Sequence, residues 1–291
     1  MMQTSAIENM GKKVEISEEG YSLSAFISPF NMRVRLIKYN GPRIDKVVKK
    51  LDELAYKNDF AKKIFAKVRE SDSSVFGSMG YENEGVIKGY YNGKDAVVMS
   101  RFVDVVRRST QPSVVEKELQ VERILKGVEE SSHEPELPKG YVFLIAETEN
   151  QFKKLAELYR EVFESYPFPI YNPEYLMETA KSHIIYGLIF NENGKLVAAS
   201  SAEIDFNNKN AEMTDFATLT SERGKGLASV LLTNLEKAIE KKDIKCLYTL
   251  ARSKSVGMNV VFKKAGYEFT GKAKNNCNIC GEFENMSIWC K

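Results

Sequence analysis

The 291-residue chain predicts an α/β (α+β) protein with two units, a smaller amino-terminal one and a larger carboxy-terminal one. Three observations lead there. From Ala211 the sequence reads strand, glycine-rich turn, amphipathic helix, strand, helix, Gly-aromatic pair and strand. A polar stretch from Glu129 to Gly140, with Pro135 and Pro138, interrupts regular structure between the two parts. Features of the first part then recur in the same order in the second.

The amino-terminal part carries that repeat. Leu51-Asp52-Glu53, Lys57-Asn58-Asp59 and Ile64 to Arg69 run parallel to Leu235-Glu236-Lys237, Lys241-Lys242-Asp243 and Leu247 to Arg252. Gly80-Tyr81-Glu82 and Gly85 match Gly266-Tyr267-Glu268 and Gly271 at an offset of 186 residues (266 minus 80, 271 minus 85), and Met99-Ser100 recurs as Met286-Ser287. Val114 to Val128 reads as a linker helix. The expected division is therefore 1–112, a linker over 113–140, and 141–291. In the last part Tyr141 to Glu147 reads as a strand. Phe152, Leu155, Leu158, Tyr159, Val162 and Phe163 give Asn150 to Phe163 helical spacing, ended by Pro167 and Pro169. Ala211 to Leu219 is a strand, Gly226 to about Lys242 a helix, Ile244 to Ala251 a strand and Val256 to Ala265 a helix.

Composition bounds the function. A 43% hydrophobic content supplies a sizeable core. Forty-two basic and forty acidic side chains nearly balance, so no nucleic-acid partner is implied; Arg107-Arg108 and Lys62 to Lys67 read as solvated helix faces. No run is long enough to cross a bilayer and Met1 to Lys13 holds no long apolar segment, which leads to the expectation of a cytoplasmic protein without a membrane partner. Cys246, Cys277, Cys280 and Cys290 are too few and too late for a secreted disulfide framework. Cys277-x-x-Cys280 invites a metal reading, but with His133 and His183 as the only histidines no closed zinc site is expected.

Arg223-Gly224-Lys225-Gly226-Leu227-Ala228 sits where a strand turns into a long helix. Glycines let a phosphate approach the backbone, and the first helical N–H groups point at its charge. A Walker loop is absent, and Gly224-x-Gly226-x-x-Ser229 lacks the third glycine of a dinucleotide fingerprint. A glycine turn capping an ordinary helix is the plain alternative.

With Arg223, Gly226 and Ala228 the run fits Arg/Gln-x-x-Gly-x-Gly/Ala and resembles the acyl-CoA pyrophosphate loop of the GNAT superfamily of N-acetyltransferases. The downstream order of elements resembles that family too. Glu212 to Leu219, Met258-Asn259, Asn276 to Ile279, Glu284-Asn285-Met286 and Trp289 are similar to the branch that acetylates the side-chain amine of beta-lysine. The resemblance implies a central mixed, mostly antiparallel sheet, splayed where acetyl-CoA binds and preceded by a degenerate GNAT-like copy that lacks the loop. It also implies a small-molecule acetyltransferase using acetyl-CoA, no metal, and beta-lysine as partner. A homodimer is admitted, and oligomeric state is not fixed by these residues.

The residues expected at the cofactor are Phe216, Ala217, Thr218 and Leu219 beside the thioester, the loop Arg223, Gly224, Lys225, Gly226, Leu227, Ala228 and Ser229, and Ser255 and Phe262 on the following helix. Phe262 stands where many relatives carry a tyrosine acid, so none is carried over, and Tyr248 or water is left for the leaving group. An amine of pKa about 10.4 must lose a proton before it attacks. Glu212 and Asp215 are the candidate bases, with Glu212 favoured; strand alternation sets them on opposite faces unless a bulge intervenes. A backbone N–H near Thr218 or Leu219 is the expected oxyanion donor. For the acceptor, Arg252 is expected to hold a carboxylate and Glu284 a second amine, with Tyr166, Phe168 and Tyr171 as a wall and Cys277 nearby. Arg252 in a surface ion pair and the aromatics in core packing are the alternatives. Another diamine or a protein lysine, a non-catalytic acyl-CoA sensor, or nucleotide binding are the rival functions.

Overall fold

The computed structural model describes residues 11–166, 168–279 and 281–291. Residues 1–10, Pro167, expected to help end a helix, and Cys280 of the Cys-x-x-Cys pair lie outside the described residues. Thirteen strands form one sheet in the order β1-β2-β3-β4-β6-β5-β12-β13-β11-β10-β9-β8-β7. They are β1 (Lys12–Glu18), β2 (Tyr21–Ser28), β3 (Arg33–Asn40), β4 (Lys63–Arg69), β5 (Glu82–Tyr91), β6 (Lys94–Phe102), β7 (Val142–Ile145), β8 (Ile184–Phe190), β9 (Leu196–Asp205), β10 (Asn210–Thr218), β11 (Cys246–Arg252), β12 (Glu268–Ile279) and β13 (Glu282–Cys290). The described helices are α1 (Ile44–Tyr56), α2 (Ser73–Ser78), α3 (Val105–Arg108), α4 (Pro112–Lys126), α5 (Glu149–Val162), α6 (Pro173–Ser182), α7 (Leu227–Glu240) and α8 (Val256–Lys264).

One plan is used twice. The path β2-β3-α1-β4-α2-β5-β6 is repeated as β9-β10-α7-β11-α8-β12-β13, and in each copy the last strand inserts between the two before it. Within each copy the one parallel pair is short: Arg33–Arg35 against Lys63–Phe65, and Asn210–Glu212 against Cys246–Tyr248. Beyond these residues the two strands separate. The helix that crosses between them buries one apolar face in each copy, Ile44, Val47, Val48, Leu51 and Ala55 on α1 and Leu227, Val230, Leu231, Leu235 and Ile239 on α7. The crossovers differ at their start. Residues 219–226 connect β10 to α7, whereas only residues 41–43 connect β3 to α1, too short a turn to form a second cradle.

The copies meet where Gly85 of β5 faces Gly271 of β12. A Cβ on Gly271 would lie 2.3 Å from the Glu84 carbonyl oxygen and 2.4 Å from the Gly85 Cα, so the two backbones touch only because neither residue has a side chain. Past this point each strand hooks onto the other copy. The Asn210 amide donates to the Tyr90 carbonyl at 2.8 Å, and Arg33 donates to the Asn276 carbonyl at 2.7 Å. Tyr90 and Asn276 are the same position of the repeat. A shared core of Phe65, Ile87, Tyr90 and Val98 packed on Cys246, Tyr248, Met286 and Ile288 closes the inner faces together.

Two charged runs depart from the solvated helix faces expected of them. Lys62 to Lys67 lies mostly on β4, where the Lys63 side chain is 0% exposed and pairs with Glu84 at 2.8 Å while donating to the Lys274 carbonyl. Arg107 is buried over the Phe283 ring and donates to the carbonyls of Asn31 and Asn275. In both places the stem is covered because the other copy supplies acceptors for the charged head.

Candidate active site

Gly224 and Gly226 have φ of +83° and +75°, and a Cβ on either would meet nothing within 4 Å. Gly226 caps α7 in a left-handed conformation. The first internal bond of the helix runs from the Val230 N–H to the Gly226 carbonyl. The amides of Leu227, Ala228 and Ser229 thus lie in the first turn, where no helical carbonyl reaches them. Donors, open space and the positive end of the helix converge as a phosphate requires. Arg223 is exposed and has no ion pair among the described residues, while Lys225 is held by Glu222 at 2.7 Å and the Tyr141 hydroxyl at 2.8 Å. A cavity of about 910 Å³ runs from Gly226 and Ser229 into the groove between α7 and α8. Ser255 caps α8 by accepting from the Met258 N–H. Phe262 is buried between Phe216 and Tyr267, with ring centroids 5.6 and 5.2 Å away. It supports Phe216 from within the core.

Along the splayed edge, the Leu219 N–H donates to the Val197 carbonyl at 3.0 Å, and Ala217 is registered opposite Ala199. Alternation therefore turns the Thr218 N–H away from β9, toward the gap. Of the two residues considered for an oxyanion, Leu219 has its donor committed.

The register of β10 against β9 slips between Thr214 and Ala217, and Asp215 has φ +56° at the slip. This bulge changes the faces expected for the two acids. Asp215, 7% exposed, accepts from the Ser201 hydroxyl at 2.6 Å and from the Tyr166 hydroxyl. Ser201 lies two residues from Glu203, and Glu203 is registered opposite Glu212. The extra residue thus sets Glu212 and Asp215 on one side of the sheet, together with Glu203. A non-glycine residue held at positive φ costs on the order of 1–3 kcal/mol, strain of the kind found where function needs a side chain re-aimed. Glu212 accepts from Tyr248 at 2.9 Å, and Tyr248 in turn accepts from Lys67 at 2.7 Å. The Glu203 carboxylate has no hydrogen bond or ion pair among the described residues. Burial, then the charges of Asp215 and Glu212, push its pKa up to about 8 against the pull of Arg35 and Lys67. Burial likewise raises Asp215, opposed by its bonds from Ser201 and Tyr166.

The amino-terminal copy forms the opposite wall. Lys67 and Arg35 come from β4 and β3, and the Arg35 guanidinium lies 5.8 Å from the centre of the Phe168 ring. Tyr171 donates to the Phe163 carbonyl at 2.9 Å, so the aromatic segment is tied back to α5 and to Asp215. Arg252 and Glu284 are brought to each other, in a two-pronged pair at 2.8 and 2.5 Å that Lys254 joins at 3.1 Å. Cys277 is half-buried with its sulfur 3.9 Å from Arg33. Sequence reasoning did not single out Glu203, Arg35 or Lys67. The signal for Glu203 is a single acid in the small-residue run Ala198-Ala199-Ser200-Ser201-Ala202; Arg35 and Lys67 carry none, since only the closing of one copy on the other makes them neighbours of β9 and β10.

Splayed strands, a glycine cradle on the crossing helix and an acid-lined cleft define an acyltransferase of the acyl-CoA-using type. Residues 151–267 match the Acetyltransferase (GNAT) family. The chain is 38% identical over 265 residues to beta-lysine N(6)-acetyltransferase of Methanococcus maripaludis, covering 91% of this chain and 94% of that one. It is 35% identical to N-acetyltransferase YodP of Bacillus subtilis, covering 90% and 93%. It is 34% identical to beta-lysine N(6)-acetyltransferase of Methanosarcina mazei, covering 73% and 84%. The chain belongs to the GNAT acetyltransferases and, within them, to the family of these relatives.

Proposed function

We propose that this enzyme transfers the acetyl group of acetyl-CoA to the N6 amine of beta-lysine in the cytoplasm, its product serving as a compatible solute in osmoadaptation. The observation that carries the reading is the convergence of Glu203, Glu212 and Asp215 at the splayed end of β10, a site suited to an acceptor with two ammonium groups. The names of the full-length relatives support the choice among diamines. In this reading residues 141–291 catalyse, 113–140 link, and 1–112 form a degenerate GNAT-like copy. In this reading both walls of the cleft come from one chain.

Acetyl-CoA supplies the activated thioester. The first amides of α7, with Arg223, hold its pyrophosphate, and the edge from Phe216 to Thr218 lines its acyl arm. Glu212, fixed by Tyr248 and Lys67, holds the reacting ammonium, and Glu203 takes its proton. With a pKa near 8, Glu203 is far closer to an ammonium of about 10.4 than an ordinary glutamate of about 4.3, which makes the transfer less uphill. The deprotonated nitrogen attacks the thioester carbonyl, the Thr218 N–H faces the negative charge that develops on the carbonyl oxygen, and the C–S bond then breaks to release coenzyme A as a thiolate that takes a proton from water.

Free-thiol release from acetyl-CoA, measured with beta-lysine, alpha-lysine, a diamine and a lysine peptide, tests the reading, with the acetylated nitrogen located by mass spectrometry. Preferred turnover of beta-lysine at N6 is expected. Preference for another acceptor discards the substrate, and binding without turnover discards the enzyme.

A further inference from the structure

We infer that Arg35, supplied by the amino-terminal copy, binds the carboxylate of the acceptor and so makes that copy half of the active site. The inference rests on the reading of the acceptor as an amino acid with a distal amine. The cleft needs a cation for such a molecule, and the cations around it are differently placed to provide one. Arg252 is clamped by Glu284, Arg33 is buried and donates to the Asn276 carbonyl, and Lys67 donates to Tyr248. Arg35 is half-buried, and among the described residues its side chain has no hydrogen bond or ion pair. Its guanidinium lies against the Phe168 ring, on the aromatic segment that also places Tyr166 on Asp215. A guanidinium lying against a ring keeps its N–H edge free for an anion.

The repeat explains how it comes to face the acids. Arg35 and Phe65 close the parallel pair of the first copy as Glu212 and Tyr248 close that of the second. Since the inner faces of the copies pack together, Arg35 lies across the cleft from the position of Glu212. A six-carbon acceptor then spans from Arg35 to the carboxylates, its carboxylate at one wall and its amines at the other. Arg35 also lies close enough to Glu203 to oppose the rise in its pKa, which a free carboxylate bound to Arg35 would relieve.

The test compares beta-lysine with 1,4-diaminopentane, the same chain without its carboxylate, and alpha-lysine with 1,5-diaminopentane, using wild type, Arg35→Ala and Arg35→Gln. For the carboxylate-bearing acceptor of whichever pair the wild type uses, KM should rise about 10- to 100-fold with kcat little changed, the effect of losing one charge-assisted contact. For its carboxylate-free partner kcat/KM should stay within about 3-fold, and acetyl-CoA binding, which uses the other copy, should be unchanged. Equal losses on both members of a pair, an unchanged KM for the amino acid, or a wild type that prefers both diamines overturns the inference. If beta-lysine is not used but alpha-lysine is, the substrate reading falls while Arg35 is still judged on the second pair.

Discussion

At the scale of the residue, the site turns on one misfit in a strand. Asp215 sits in a bulge that interrupts the alternation of its strand, so Glu212 and Asp215 face the same side as Glu203. Glu203→Gln removes the group assigned to take the proton: kcat/KM should fall about 10²- to 10⁴-fold, and the rise in rate through about pH 8 expected of the wild type should be absent from its pH profile. The same substitution should stabilise the fold. A carboxyl whose pKa is raised by folding contributes fully below its unfolded pKa of about 4.3 and loses that contribution progressively up to about 8. Thermal unfolding should therefore show the Gln variant gaining on wild type from pH 5 to pH 8, by on the order of a few degrees, and then running level. Glu212 and Asp215 were legible because they precede the cofactor loop on the same strand. The side each one faces was not, since a bulge leaves no mark in the pattern of apolar residues. Arg252 and Glu284 read as separate substrate contacts from sequence, but their registers on neighbouring strands bring the two charges together.

Helices and turns were easier to read, because their signals are local. Gly226 begins a helix whose apolar residues recur at helical spacing, and the same spacing marks α5, which the structure starts with a capping box of Thr148 and Gln151. The boundary at α7 decides what the turn can bind. Gly226→Glu should abolish acetyl-CoA binding in calorimetry, because the new carboxylate occupies and repels the place of a pyrophosphate. The fold should survive, at a strain of about 1 kcal/mol for a side chain at positive φ, since no atom lies within 4 Å of the new Cβ. The first copy shows the converse. It keeps the crossing helix and the divergent strands, yet its three-residue turn over 41–43 has no room for the loop. The charged run on β4 misled for a related reason: Lys63 is buried by a partner 21 positions away and a carbonyl 211 away, beyond the reach of any window along the sequence.

For the whole molecule, the internal repeat was visible as paired glycines, but their purpose became clear only when Gly85 and Gly271 proved to face one another. A side chain at this seam has backbone in its way on the opposite strand. Gly271→Val should destabilise the protein by roughly 3–5 kcal/mol, the range of severe core substitutions. Because the copies share a core and exchange strand ends, the fluorescence of Trp289 in the second copy and hydrogen exchange in the first should report one coincident unfolding transition, shifted as a unit. Two separate transitions would show that the copies stand independently.

The exchange of strand ends has a further consequence. Two lobes on separate chains would have to find each other by diffusion, and their joint cleft would come apart on dilution. Here one polypeptide holds them at a fixed effective concentration. In the proposed reading, a cleft walled by both lobes keeps both of its walls on dilution.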